Sequence, residues 1–282
     1  MSWTFLINTE KRIDFKEVYE KFRYDRPIDA IEQSDRLFYF YGSGSSTRGI
    51  DVSLEKHGYE IRIPVMSNRI DLSIALRLIQ IISEMTGGKV YHEDQTELIG
   101  PDYLTEEFIK NSFINDMKTI FLLIREMGSI IEFPGPTRSV FIGKKILGEN
   151  LNYEKRIKTT ANNIESIFLE VLYKLPDWTE PSIIAVGSNE GDRFIKLKLV
   201  TSDNNYIVQN YDYIIIGGTE ESKHNDMIFI DQKNLEPIMP EYWYFVDEST
   251  IVAEKMPLEE WHAFRDECRK LNCYHDFRKK AN

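Results

Sequence analysis

The sequence predicts an α+β fold: a mixed sheet with packed helices in the N-terminal half, and a β-rich C-terminal half with a terminal helix. Three observations carry this reading. Residues 59–93 have a strand, helix, strand pattern, and residues 182–254 hold many short β-branched and aromatic runs separated by turn residues. The helices between them are too irregularly spaced for the steady alternation of a doubly wound sheet.

The 59–93 stretch organises the N-terminal half. Its helix, 71–85, is apolar almost all round, with Leu72, Ile74, Ala75, Leu76, Leu78, Ile79, Ile81, Ile82 and Met85. Ser73, Arg77, Gln80 and Glu84 leave only a narrow polar stripe, so the helix is expected to be covered on more than one side. Asp71 suits a helix N-terminus, where a carboxylate meets free amides, and Gly87-Gly88 supplies the stop.

Taken in order, Met1–Ile7 reads as a first strand and Asp14–Phe22 as a short helix, with Phe15, Val18, Tyr19 and Phe22 at helical spacing. Residues 23–34 mix polarities around Pro27 and read as irregular. The aromatic run Arg36–Tyr41 is strand-like and leads into Gly42-Ser43-Gly44-Ser45-Ser46, a flexible loop by composition. Residues 48–55 and 59–65 alternate around the turn Lys56-His57-Gly58 and form a hairpin. Thr105 caps a helix running to Met127, and short strands follow at 130–133 and 140–142. A third helix spans 153–173, ahead of Pro176. After the β-rich stretch, Pro257 opens a final helix to Leu271. The change of texture near residue 150 suggests two subdomains, 1–150 and 151–282.

Charge narrows the function. A net charge of −11 and a pI near 5.1 would repel a phosphate backbone, so no nucleic-acid partner is expected. No apolar run reaches the roughly 18 residues of a membrane span, and 1–7 lacks the basic start of a leader, so no membrane is expected and the location expected is cytoplasmic. Two cysteines make no disulfide scaffold. An acidic surface suits a basic protein partner, although acidity is more commonly there simply for solubility.

The run Thr47-Arg48-Gly49-Ile50-Asp51-Val52, then Tyr59-Glu60-Ile61-Arg62-Ile63-Pro64, then Asp71-Leu72-Ser73-Ile74-Ala75-Leu76, resembles a bacterial domain-of-unknown-function family of cytoplasmic proteins of similar length. The resemblance spans residues 47–97. It implies a strand pair ahead of a helix opening on an acid, and no particular chemistry.

Four constellations are candidate sites. If the strands flanking the central helix are parallel, both end at the edge where that helix begins, and Asp71 would lie near His92, Glu93 and Asp94. One imidazole and three carboxylates could hold a divalent metal, although a helix cap accounts sufficiently for Asp71 and a solvated turn for Glu93 and Asp94, and such acids more often only cap and solvate. Arg48 and Arg62 are candidate anion or ion-pair partners for that edge. Gly42–Ser46 lacks the Gly-Lys-Ser/Thr ending and the following helix of a phosphate loop. His262, Cys268, Cys273 and His275 lack a Cys-x2-Cys knuckle, and the two thiols are read as packing groups. Tyr242, Trp243 and Tyr244 form the densest aromatic run and a candidate partner surface.

No cofactor and no catalytic residue is implied. The sequence reading favours a non-catalytic cytoplasmic protein that binds or regulates a basic protein, in the manner of an immunity protein. Its alternative is a metal-dependent hydrolase at the end of the 59–93 unit.

Overall fold

The computed structural model describes residues 2–22, 27–93, 97–98, 106–147, 163–187, 194–218 and 227–281. Chain contacts divide the molecule into two compact units, Met1–Leu175 and Pro176–Asn282. The fold is mixed α+β and closes on a C-terminal helix.

The first unit is built on a seven-stranded sheet of order β2-β3-β4-β5-β1-β6-β7. Its strands are β1 (Trp3–Asn8), β2 (Ile28–Ser34), β3 (Leu37–Gly42), β4 (Ile50–Glu55), β5 (Gly58–Ile63), β6 (Lys89–His92) and β7 (Glu97–Leu98). Helix α1 (Phe15–Phe22) follows β1, and α2 (Arg69–Thr86) joins β5 to β6. β1 lies between β5 and β6 and is antiparallel to both, with Phe5 opposite Ile61 on one side and His92 on the other. β5 and β6 therefore run parallel, and they end at the edge where α2 begins. α3 (Glu106–Met127), the hairpin β8 (Ile131–Pro134) and β9 (Ser139–Ile142), and a helical run over residues 163–174 complete the unit.

Period-two alternation divides the sheet. Phe5, Ile7, Ile50, Val52, Tyr59, Ile61 and Ile63 face one way and pack with Phe15, Val18 and Phe22 of α1 and with α2. α2 buries Leu72, Ile74, Ala75, Leu78, Ile79, Ile81 and Ile82, as its pattern predicts. It ends on Gly87, whose φ of 69° is left-handed and whose N–H bonds the Ser83 carbonyl at 2.8 Å. Two local expectations are corrected. Residues 28–34, read as irregular, form edge strand β2; an edge strand pairs on one side only and tolerates Glu32, Gln33 and Ser34 in water. The Gly42–Ser46 stretch, read as flexible, is a hydrogen-bonded turn with Ser46 fully buried.

The second unit holds a four-stranded sheet, β10-β11-β13-β14, and a three-stranded sheet, β12-β16-β15. The strands are β10 (Ile183–Gly187), β11 (Phe194–Val200), β12 (Tyr206–Val208), β13 (Tyr213–Ile216), β14 (Ile228–Ile230), β15 (Trp243–Phe245) and β16 (Ile251–Ala253). Helices α4 (Leu258–Lys270) and α5 (Tyr274–Ala281) follow. β13 and β14 of the four-stranded sheet are covered on both faces, which is why β13 is Tyr-Ile-Ile-Ile without alternation. One face packs Ile214, Ile216 and Ile230 with Trp243, Trp261 and Phe264. The other packs Leu197, Ile215 and Phe229 with Phe277 of α5.

Candidate functional site

The densest polar constellation lies where the turn after β3 wraps the start of α2. Asn68 is the N-cap: its Oδ1 accepts from the amides of Ile70 and Asp71, both at 3.1 Å. Asp71 returns the contact, accepting the Asn68 N–H at 3.1 Å, which completes a capping box. The same carboxylate accepts from the amides of Thr47 (3.1 Å), Arg48 (3.0 Å) and Gly49 (3.0 Å), and from the Thr47 hydroxyl (2.9 Å). Asp71 is fully buried and holds the 47–49 backbone to the helix. Gly49 is required there, because its φ is 67° and a Cβ would meet the Tyr39 ring at 2.5 Å.

Around this hub sit side chains from distant segments. Asn68 Nδ2 donates to the Ser45 carbonyl (2.8 Å) and to Glu165 Oε1 (3.0 Å). The Tyr173 hydroxyl donates to the Ser46 carbonyl at 2.9 Å, and burial pushes its pKa up. Arg48 reaches the Val65 carbonyl through Nη1 (2.9 Å), and its guanidinium lies over the Phe133 ring at 5.4 Å. Burial lowers the Arg48 pKa. Tyr39 donates its hydroxyl to the Arg48 carbonyl, and burial raises its pKa, helped by the Asp71 charge. Asp116 of α3 accepts the Met66 N–H at 3.1 Å, and burial pushes its carboxyl to about 6 against the lowering effects of that hydrogen bond and of Arg48.

The structure places the other candidates as follows. β5 and β6 are parallel and share an edge with the start of α2, but the side chains there have different surroundings. His92 packs its ring against Trp3 (5.7 Å) and Phe5 (5.5 Å), and Glu93 is exposed. Asp94 lies outside the described residues. Among the described residues no group of three or more His, Cys, Asp or Glu could hold a metal ion. Arg62 is exposed and pairs loosely with Asp51 at 3.8 Å. Cys268 and Cys273 are both buried, in two different clusters. A hollow of about 550 Å³ near the β4–β5 turn, lined by Leu6, Asn8, Glu55, Lys56, His57 and Tyr91, sets Glu55, Lys56 and His57 in water.

On β15, Trp243 is buried, while Tyr242 just before the strand and Tyr244 within it are 40% and 47% exposed. The Tyr242 hydroxyl bonds the Glu260 side chain, which raises the tyrosine's pKa. Glu241, Glu254, Glu259 and Glu260 are exposed around this edge, and Leu258 on the first turn of α4 is 51% exposed. Trp243 is fixed by its indole N–H to the Glu254 carbonyl at 3.0 Å.

Sequence reasoning singled out Asp71 and Arg48 and missed Thr47, Asn68, Asp116, Glu165 and Tyr173. The spacing Asn68-x-x-Asp71 is the one local signal that could have found part of the hub. A family model described as Domain of unknown function (DUF4299) matches residues 2–167. No curated protein and no solved structure matches the chain.

Proposed function

The chain belongs to the family of that domain of unknown function, and from that premise we propose that it is a non-catalytic protein that binds a basic protein partner. The carrying observation is the β15 edge, where two exposed tyrosines stand among four exposed glutamates. Tyrosine combines a rigid apolar ring with a polar tip, and the surrounding carboxylates select a cationic surface. The chain's net charge of −11 would steer such a partner in. Binding that covers and silences a basic protein, as an immunity protein does, is the regulatory form of this reading. The edge lies beyond the residues the family model matches, so the reading concerns this chain.

A hydrolase centred on Asp71 has less support, because that carboxylate already accepts five hydrogen bonds from the residues that fold around it. In the test, wild type and a Tyr242→Ser/Tyr244→Ser variant capture partners from native lysate of the source cell. The expected result is a basic protein retained by wild type, lost from the variant, and released by about 0.5 M salt as screening shortens the reach of the charges. Equal retention by both chains, or retention of acidic proteins only, would refute the reading.

A further inference from the structure

We propose that the free edge of β10 is a self-association surface, on which a second copy of this chain pairs its own β10 antiparallel across a two-fold axis at Ala185. Among the described residues β10 is the outermost strand of its sheet and pairs with β11 alone. Ile183 and Ile184 are 54% and 44% exposed, and Phe194, opposite Gly187, is 61% exposed. Isolated edges are normally blunted by a charge, a proline or a bulge, and Ile183–Gly187 contains none of these.

The ladder itself sets the register. Leu199 donates its N–H to the Ser182 carbonyl, and the β10–β11 pairing puts those two residues opposite each other. Antiparallel pairs alternate between exchanging both hydrogen bonds and exchanging none. Ile184 and Val186 therefore bond inwards to β11, whereas Ile183, Ala185 and Gly187 turn their N–H and C=O groups outwards. That outward set is symmetric about Ala185. A two-fold there pairs Ala185 with its copy and Ile183 with Gly187, so each outward group finds a partner.

The side chains suit the same axis. Ile184 of one copy falls opposite Val186 of the other, a β-branched pair at the close, non-bonded spacing. On the opposite face Ile183 falls opposite Gly187, whose Cβ position is open space with no neighbour within 4 Å. Phe194 stands on the other side of that glycine in the same row, so the two most exposed of these apolar side chains flank the gap from different copies.

Charge argues for a copy as the occupant. A chain of net charge −11 repels itself wherever acids face one another, and residues 181–188 carry no charge at all. A basic partner gains nothing from that strip, whereas an identical neutral edge is its own complement.

Sedimentation velocity of the full chain from about 1 to about 100 µM tests this, a range matched to a contact of micromolar strength. Wild type is expected to pass from 33.2 kDa to twice that mass. Ala185→Pro removes one outward N–H and leaves the bonds to β11 intact, so it should remain monomeric with an unchanged circular dichroism spectrum. A wild type that stays monomeric throughout, including one whose edge takes up a foreign peptide instead, overturns the proposal. So does an Ala185→Pro chain that dimerises as wild type does. If Ala185→Pro fails to fold, the register decides: I184C/V186C should give a disulfide-linked dimer on oxidation, and its absence overturns the proposal.

Discussion

Thr47 meets one oxygen of Asp71 twice, through its amide at 3.1 Å and its hydroxyl at 2.9 Å. That hydroxyl also lies 2.8 Å from the Met66 carbonyl, and its oxygen accepts the Asn68 N–H at 3.0 Å. Loop, turn and helix start are thus joined at two side chains. Asp71→Asn has nearly the same shape but points an NH2 group at amides that already donate. A loss of about 3 kcal/mol or more is expected, because buried donors lose their acceptor. An unchanged urea midpoint would show that the loop is held by other contacts.

Asn68→Asp should destabilise at pH 7 even though Asp caps helices as well as Asn does. The change removes the donors to the Ser45 carbonyl and Glu165, and sets a second carboxylate beside Glu165. Asn68→Ser keeps a capping oxygen without the added charge and should be the milder change at neutral pH. The difference between the two variants should shrink below about pH 4, as the introduced carboxyl takes up its proton. A difference that is constant with pH in thermal melts would exclude the charge effect.

Asp116 carries a pH dependence of definite sign. Its folded pKa is raised from 3.8 to about 6, chiefly by burial, so the unfolded chain gives up this proton first as pH rises. The group therefore costs stability progressively from about pH 4 to about pH 6, and the cost is level above that. Asp116→Asn keeps an acceptor for the Met66 amide. It should stabilise by on the order of 1–2 kcal/mol at pH 7, after allowance for solvent screening, and by almost nothing at pH 4. Equal gains at both pH values would mean that ionisation is not the cause.

The legible parts of the fold are those with local causes. α2 could be read because Leu72 to Ile82 are apolar on every side but one, and the β4–β5 hairpin because its alternation brackets a turn. β2 was hidden because an edge strand needs little apolar alternation, and α5 because only Tyr274, Phe277 and Ala281 interrupt its polar surface. The hub was legible only as far as Asp71. Its partners Thr47, Arg48 and Gly49 lie more than twenty residues away, and Glu165 lies nearly a hundred from Asn68, so no spacing rule connects them. The β15 edge is visibly aromatic in the sequence, and the burial of Trp243 between two exposed tyrosines follows from alternation.

The position of β1 has a consequence for how the chain assembles during synthesis. Trp3 finds its partner in Ile63, and Phe5 is bounded on its other side by His92. β1 leaves the ribosome before either partner, so it must wait without a neighbour until β5 has emerged, and its second edge stays open until β6 follows. The crossover through α2 has to leave a slot one strand wide, because a directly paired β5 and β6 would exclude β1 from the sheet. Folding of this unit is thus delayed until β6 is available, and ordering such distant segments slows the search. Ends of domains usually tolerate trimming. Here the loss of residues 3–8 would split the sheet through its middle.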